Sequence, residues 1–440
     1  MKLNVSRERT RNYLQQVKGA IVYKTVAMLA SFLAIPIMIG YLGQEQYGVW
    51  STLLTMMSWI VLFDLGVGNG LRNKVAEALA RNDKEEAVNY IASGYSLIGL
   101  IALVLWGLVT AGSYFVPWQA VFNTQSIPEA TLCVTVQIAV FFCVLNFWLG
   151  LISAVLGAVQ KTSMTALSQL ISNILVLLFI YLLTKTTDAS IPYLALAYGV
   201  SLLIANIGLS SWFYRTRPDL HPKIHLEKQH INPLLSVGLQ FFIIQIAVLV
   251  IFMTDKILIT QLIGPAYVTQ FDVVFKLFSL ISFAHALIST PLWSAYTDAY
   301  HRGDMTWIKE MLHKQLIIFA GIIVAVLIMG LMIKPIVAIW VGDEIAVSQL
   351  LILSVGLFVV VSTWNNLYAM FVNGIGKIKI QLFTAVGAIA INIPLAILFV
   401  KWFGLGISGV VFATVVSLLL AAIALPIQVN QILGKSTRMV

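Results

Sequence analysis

Apolar stretches long enough to cross a lipid bilayer recur from one end of this 440-residue chain to the other. A helix needs about 20 apolar residues to span the hydrocarbon. Charged residues make up 10% of the chain, whereas water-soluble domains carry about 25%. Because a backbone in hydrocarbon must satisfy its own hydrogen bonds, each stretch is predicted to be helical. The sequence therefore predicts an all-α polytopic membrane protein with twelve transmembrane helices, at about 17–40, 48–70, 90–115, 129–156, 165–183, 191–213, 234–261, 267–294, 315–333, 348–371, 381–400 and 407–428.

Lysine and arginine are distributed unevenly between the two sides of these predicted spans. The two chain ends and the even-numbered loops hold 21 of them, and the odd-numbered loops hold only Lys185, Lys334 and Lys401. Positive charge accumulates on the cytoplasmic side of membrane proteins. Both termini are therefore predicted to be cytoplasmic. The net charge of +9 indicates topology first and attraction to anionic lipid headgroups second, so we expect no nucleic-acid partner.

The chain is predicted to consist of two six-helix lobes, residues 1–213 and 234–440, joined by a polar linker at 214–233. When the first half is shifted by 221 positions, LRNKVAEALARND (71–83) lies over LWSAYTDAYHRGD (292–304). A second similarity appears at a shift of 216 positions, which aligns Trp148 with Trp364 and Lys161 with Lys377. Each half has an even number of spans, so the two copies run in the same direction. Parallel repeats of this kind bind their substrate near mid-membrane, at the interface between repeats.

Apart from Lys18 and Glu129, which stand at the ends of predicted spans, six charged residues lie inside the spans, and all of them belong to the first two spans of either half: Lys24, Asp64, Asp255, Lys256, Asp272 and Lys276. A charge facing lipid at the centre of a helix costs about 2.5–3.5 kcal/mol. Most of the six are therefore predicted to face a wet interior or one another. His285 is the only histidine within a predicted span. We expect the four helices that carry these groups to line one shared cavity.

Several of these positions have plainer explanations. Asp272 and Lys276 have i, i+4 spacing and are alternatively an ion pair between turns of one helix. Asp64 precedes LGVGNG and is alternatively a cap at a broken helix end. His285 is alternatively a histidine satisfied within the protein core. No metal site and no cofactor are predicted.

Four segments carry a resemblance to a known group of proteins: YLGQEQYGVW at 41–50, FDLGVGNGLRNKVAEALARND at 63–83, TDKILITQLIG at 254–264 and NGIGKIK at 373–379. They are similar to bacterial polysaccharide exporters of the multidrug/oligosaccharidyl-lipid/polysaccharide (MOP) superfamily. The greatest likeness is to O-antigen flippases of the Wzx type. The resemblance covers essentially the whole chain, including its length and its number of spans.

The resemblance implies a V-shaped, MATE-like transporter with a central lumen between its lobes. Such a flippase moves undecaprenyl-pyrophosphate-linked oligosaccharide from the cytoplasmic to the periplasmic leaflet of the bacterial inner membrane. Alternating access is expected from rocking of the lobes about the 214–233 connection. Besides membrane lipids, a polysaccharide polymerase and a chain-length regulator are candidate partners. Lys24, Lys256 and Lys276 are the candidate substrate-binding residues, and Asp64, Asp255, Asp272 and His285 are candidates for ion coupling or for ion pairs in the lumen.

Two other functions compete with this one. A MATE-like multidrug antiporter of the same superfamily would more often carry acidic residues in its first span, where this chain has Lys18 and Lys24. An O-antigen polymerase or ligase needs reactive groups in its outer loops, which here contain no arginine and no histidine. The sequence thus favours a transporter over an enzyme. It leaves open the sugar repeat, the energy source and the oligomeric state.

Overall fold

The computed structural model is helical almost throughout, and no strand occurs among the residues that it describes. This confirms the predicted all-α class. The chain forms two units, residues 1–246 and 247–440, which are treated separately below. The lobe boundaries at 213 and 234 stay a prediction. The described residues are 2–64, 66–222, 230–234, 254–289, 292–301 and 303–437.

Eight helices of the first unit are described over their whole length, and of these α2, α4 and α6 are short. Its long helices pack side by side, with α1 along α7 and with α5 between α3 and α8. A buried apolar cluster joins α2, α3 and α6 to the end of α8. Two short 3-10 helices follow α1 and α8, at Trp59–Asp64 and Pro218–Leu220. The helices are α1 (Lys2–Ser58), α2 (Val67–Ala80), α3 (Lys84–Ser113), α4 (Trp118–Phe122), α5 (Glu129–Leu149), α6 (Ile152–Ala158), α7 (Thr162–Thr186) and α8 (Ile191–Thr216).

The described part of the second unit contains seven helices. The central one is α13, which contacts α10, α11, α12 and α15, while α14 packs along α15. A buried apolar cluster joins α11, the start of α12, α13 and α15. The helices are α9 (described over 254–262), α10 (Pro265–Ser289), α11 (Leu292–His301), α12 (Met305–Val341), α13 (Gln349–Gly374), α14 (Lys379–Lys401) and α15 (Gly406–Thr437).

Ten helical segments within the described ranges are long and apolar enough to cross a membrane. Many of their large apolar side chains point outward, as do Leu331 at 80% exposure and Ile339 at 89%. Outward apolar side chains are what a lipid environment requires. The protein is therefore a multi-pass membrane protein. Ten segments are consistent with twelve predicted spans, because α1 contains the first two and most of the seventh span (234–261) lies outside the described residues.

The first two spans are separated by a backbone break at Gly43, where φ is 75° and ψ is 170°. Residues with side chains rarely adopt this backbone conformation, so glycine suits the position. Hydrogen bonds hold the corner on both sides. The Tyr41 hydroxyl contacts Thr187 Oγ1 at 2.8 Å and donates to the Asp188 carbonyl oxygen at 2.7 Å. Glu45 accepts a hydrogen bond from the Thr124 hydroxyl. The corner is thus fastened to the α4–α5 and α7–α8 connections.

Equivalent contacts recur in the two units, as expected for an internal repeat. Asp83 and Asp304, which the shift of 221 aligns, cap the N-termini of α3 and α12 through the backbone N–H groups of Glu86 and Trp307. A second pair uses asparagine amides. Asn146 donates to the carbonyl oxygen of Gly199, and Asn365 donates to that of Leu418. Each bond spans 53 positions along the chain.

Candidate functional site

Asp255 and Lys256 are neighbours in α9, yet their side chains meet different partners. Successive residues on an α-helix point about 100° apart. Asp255 is 7% exposed, and its Oδ1 accepts a hydrogen bond from the Thr414 hydroxyl at 2.8 Å. The Nζ of Lys256 lies 2.7 Å from Oδ1 of Asp272. The two adjacent charges therefore tie α9 to α15 and to α10, respectively.

Asp255 is part of a buried polar cluster with two helices from the end of the chain. Thr414 Oγ1 accepts a hydrogen bond from Asn392 Nδ2 at 2.9 Å and lies 3.4 Å from the Val410 carbonyl oxygen. Asn392 is 2% exposed, and its Oδ1 has no hydrogen-bond partner among the described residues. The cluster thus gathers a carboxylate, a hydroxyl and a backbone carbonyl oxygen, and the amide NH2 group of Asn392 faces the hydroxyl. A set of oxygen donors suits a proton or a hard cation.

The pairing of Lys256 with Asp272 creates a small basic cluster in the second unit. Asp272 is 7% exposed, and 28% of the Lys256 side chain is accessible. Lys276 lies one turn beyond Asp272 on α10 and is half-buried. The i, i+4 spacing of Asp272 and Lys276 allows an ion pair between them as the plainer explanation of both charges. In the structure, the Asp272 carboxylate also pairs with Lys256. Two lysines and one aspartate leave a formal charge of +1 among apolar helices.

Lys24, the third predicted lysine, lies in the first unit. Its side chain is exposed on α1. The buried face of this part of α1 consists of small residues, including Ala27, Ala30 and Ala34. Lys24 therefore lies beside this packed face, since Ala27 is one turn further along the same side of α1. Its assignment to a substrate site stays a prediction.

Asp64 and His285 occupy structural positions. Both carboxylate oxygens of Asp64 accept a hydrogen bond from the Gly68 backbone N–H, at 3.0 and 3.2 Å. Asp64 thereby caps α2 just after the 3-10 helix, beside Gly66, whose φ is 74°. His285 is 5% exposed on α10. The structure thus supports the capping alternative for Asp64, and a role in ion coupling stays a prediction for both residues.

Thr414 and Asn392 were missed by the sequence-based reasoning, which followed formal charge only. The available signal was an amide in the middle of the apolar run AIAINIPLAI. A polar side chain in a membrane helix usually faces a polar partner or a cavity. The residue that it meets lies on another helix, so sequence spacing did not show that Asn392, Thr414 and Asp255 come together.

Comparisons with known proteins agree with this architecture. The family described as "Polysaccharide biosynthesis protein" matches residues 15–296, more than half of the chain. A candidate O-antigen transporter of Salmonella typhimurium is 24% identical, with 87% of this chain and 88% of the relative covered. A candidate O-antigen export protein of Yersinia pseudotuberculosis is 22% identical, with 81% and 82% covered.

The fold is similar to that of a solved MATE multidrug resistance transporter of the MOP superfamily in an inward-facing conformation. The TM-score is 0.78 at 16% identity, covering 95% of this chain and 99% of the other. At this identity the likeness concerns the fold alone, and it confirms the predicted fold class. The match over residues 15–296 confirms the resemblance carried by the sequence motifs. This chain belongs to the polysaccharide biosynthesis protein family.

Proposed function

We propose that this protein is a flippase that carries undecaprenyl-pyrophosphate-linked oligosaccharide from the cytoplasmic to the periplasmic leaflet of the bacterial inner membrane. Family membership and the names of the O-antigen relatives support the pathway. The MATE-like fold supports transport by alternating access. The observation that carries the proposal is the basic cluster of Lys256, Asp272 and Lys276 among apolar helices.

The basic cluster is matched to the pyrophosphate of the substrate. At an effective dielectric constant of 20, two opposite unit charges 4 Å apart attract each other by about 4 kcal/mol. The ammonium groups of Lys256 and Lys276 are the groups of the cluster that would attract the phosphates, and Asp272 holds Lys256 in place. Lys24, on a predicted span without acidic residues, is a separate candidate for contact with the phosphates. The polyprenyl tail stays in lipid, because it is as apolar as the bilayer interior.

Asp255 is the proposed coupling group, and sodium is the proposed ion. The carboxylate can share a cation with Oγ1 of Thr414 and the carbonyl oxygen of Val410, since hard cations take oxygen ligands. Asn392 would add its Oδ1 once its amide, whose NH2 group now faces Thr414, turns over. When the oxygen of the Thr414 hydroxyl binds an ion, its proton can be donated to the Val410 carbonyl oxygen in place of Asp255, because that carbonyl oxygen lies 3.4 Å away. Three other candidates for ion coupling are weaker. Asp64 caps α2, Asp272 pairs with Lys256, and His285 is buried in the protein.

The coupling proposal is tested by the sodium dependence of transport. We expect Asp255→Asn to retain the fold and to lose at least tenfold in the sodium stimulation of delivery. Transport that is unchanged when sodium is replaced by choline, and that collapses with the proton gradient, would instead assign a proton to Asp255. Transport indifferent to both gradients would remove ion coupling altogether.

The flippase proposal is tested in cells that lack the gene. Without the protein, undecaprenyl-linked oligosaccharide should accumulate on the cytoplasmic side, and the wild-type gene should restore surface polysaccharide. Lys24→Ala and Lys276→Ala are expected to reduce delivery at least tenfold at normal expression. Lys24→Arg and Lys276→Arg keep the charge and serve as matched controls. Full delivery by the Lys24→Ala/Lys276→Ala double variant would end the cationic-site proposal.

The competing functions make different predictions in the same strain. A multidrug antiporter would alter resistance to cationic drugs and leave the lipid-linked oligosaccharide on its normal side. Loss of a polymerase would leave single repeat units at the periplasmic face, and loss of a ligase would leave polymerised chains on the lipid carrier there. The relatives named above are transport or export proteins, which favours transport over enzymatic activity.

A further inference from the structure

The polar segment that follows α8 is attached, where it begins, to the helices of the first unit. The Arg217 guanidinium donates to both carboxylate oxygens of Asp219, at 2.9 and 3.1 Å, and Lys84 Nζ at the start of α3 lies 3.1 Å from Asp219 Oδ2. The pKa of Asp219 lies below its usual value, chiefly because the Arg217 guanidinium donates hydrogen bonds to its carboxylate. Leu220 is fully buried in the apolar cluster formed by α2, α3 and α6.

The same unit holds the chain again at residues 230–234, which are helical. Leu234 is fully buried, and it belongs to the same apolar cluster as Leu220. The His230 ring packs edge-on against the ring of Tyr90 in α3, with centroids 5.1 Å apart. His230 is 7% exposed. Both described ends of the segment therefore lie against one set of helices.

Gly70 of α2 makes the second attachment a close one. A Cβ atom at Gly70 would lie 2.4 Å from the carbonyl oxygen of Leu234 and 3.2 Å from its Cα. Such a contact with backbone atoms cannot be relieved by rotating a side chain. Glycine is the residue that permits backbones to approach this closely. The glycine at position 70 thus allows residues 230–234 to pack directly against the backbone of α2.

We infer that residues 217–220 and 230–234 form a strap that is clamped to the first unit and moves with it during transport. This differs from the expectation that the lobes rock about a free connection at 214–233. Domain motions are absorbed by a few residues that are not packed against either body. Both described ends of the connection are packed. The attachment of the strap to the first unit does not depend on what the protein transports. Its behaviour during transport rests on the proposed function.

The first test measures the clamp without any transport. Cys133 and Cys143, which are free thiols, are replaced by serine, and Leu234→Cys is labelled with a hydrophilic maleimide in permeabilised membranes. We expect slow labelling, and labelling about tenfold faster when Gly70→Ala is added, since about 1.4 kcal/mol of lost docking changes an equilibrium tenfold. Gly40→Ala is the control, because a Cβ there meets no atom within 4 Å. Rapid labelling without Gly70→Ala, or an unchanged rate with it, would overturn the strap.

The second test asks whether the strap stays closed during transport. Tyr90→Cys and His230→Cys are introduced into the same cysteine-free protein and joined with a short thiol crosslinker. We expect high crosslinking yield and delivery of lipid-linked oligosaccharide equal to that of the reduced double variant. Loss of delivery on crosslinking, with delivery retained after a monofunctional reagent of similar size, would place the moving part in this segment and contradict the inference. If the protein proved not to be a flippase, the labelling result would still stand.

Discussion

At the scale of single residues, the adjacent charges of α9 serve two different purposes. Asp255 joins a polar cluster with Thr414 and Asn392, and Lys256 joins Asp272. The sequence predicted that charges in these spans must find partners, because lipid-facing charges are costly. It did not predict which partners they find, since the contacts cross between helices that are distant along the chain. Formal charge was visible in the sequence, and the neutral hydroxyl and amide were overlooked.

The Lys256–Asp272 pair allows helix stabilisation to be separated from substrate binding. Lys256→Met leaves the Asp272 carboxylate without this partner, so we expect the free energy of unfolding to fall by about 1–3 kcal/mol. The double variant Lys256→Met/Asp272→Leu replaces both charges with apolar groups and should recover most of that stability. Its delivery of oligosaccharide should remain low. Chemical unfolding in detergent and the cellular assay measure the two effects. Restored delivery in the double variant would make the pair purely structural.

The proposed cation cluster predicts a difference between two substitutions at Thr414. Thr414→Val keeps the size of the side chain and removes the hydroxyl oxygen, so we expect the sodium stimulation of transport to fall at least tenfold. Thr414→Ser retains that oxygen and should keep most of the stimulation. Transport by membrane vesicles at several sodium concentrations is the measurement. Equal sodium dependence in both variants would exclude Thr414 as a ligand.

At the scale of helices, breaks in the backbone organise the first unit. The predicted spans 1 and 2 form a single run of helix that turns at Gly43, and the second span ends in a 3-10 helix before Asp64 caps α2. The sequence indicated both places through YLGQEQYG and DLGVGNG. It did not indicate the hydrogen bonds from Tyr41 and Glu45 that hold the first corner, because their partners lie in connections far along the chain.

The backbone at Gly43 predicts opposite effects for two glycine substitutions in α1. Gly43→Ala forces a side chain into a backbone conformation (φ 75°, ψ 170°) that is almost restricted to glycine, and it should destabilise the protein by about 1–3 kcal/mol. Gly40→Ala lies within regular helix with open space around it and should stabilise it by up to about 1 kcal/mol. Thermal unfolding in detergent distinguishes them. A Gly43→Ala midpoint equal to or above that of Gly40→Ala would contradict the structural reason given for the corner.

At the scale of the whole molecule, the sequence predicted the all-α membrane class from apolar length alone, and the structure confirms it. The repeat is also visible in the sequence, since the shift of 221 aligns Asp83 with Asp304, and both residues cap a helix in the structure. Helix ends were less well predicted. The ninth predicted span, at 315–333, belongs to a helix that runs from Met305 to Val341, because helical hydrogen bonding continues past the apolar run. The strap ends at 217–220 and 230–234 had no sequence signal beyond polarity.

The distribution of basic residues predicts the orientation of the whole chain. Reporter fusions after Gly434 and within the 214–222 segment should be active only with a cytoplasmic reporter. Fusions in the α7–α8 connection (187–190) and in the α12–α13 connection (342–348) should be active only with a periplasmic reporter. The physical reason is the positive-inside bias. The opposite pattern at either pair of sites would invert the proposed direction of transport.

The central claim is that lysines inside the membrane hold the phosphorylated head of a lipid-linked sugar while it crosses the bilayer. The most direct measurement is the rate at which purified protein in proteoliposomes moves undecaprenyl-pyrophosphate-linked oligosaccharide between leaflets, read by access of an external glycosidase. We predict that wild-type protein transports this lipid, and that Lys24→Ala/Lys276→Ala transports it at least tenfold more slowly while Lys24→Arg/Lys276→Arg stays near wild type. Equal rates for the alanine and wild-type proteins would contradict the account.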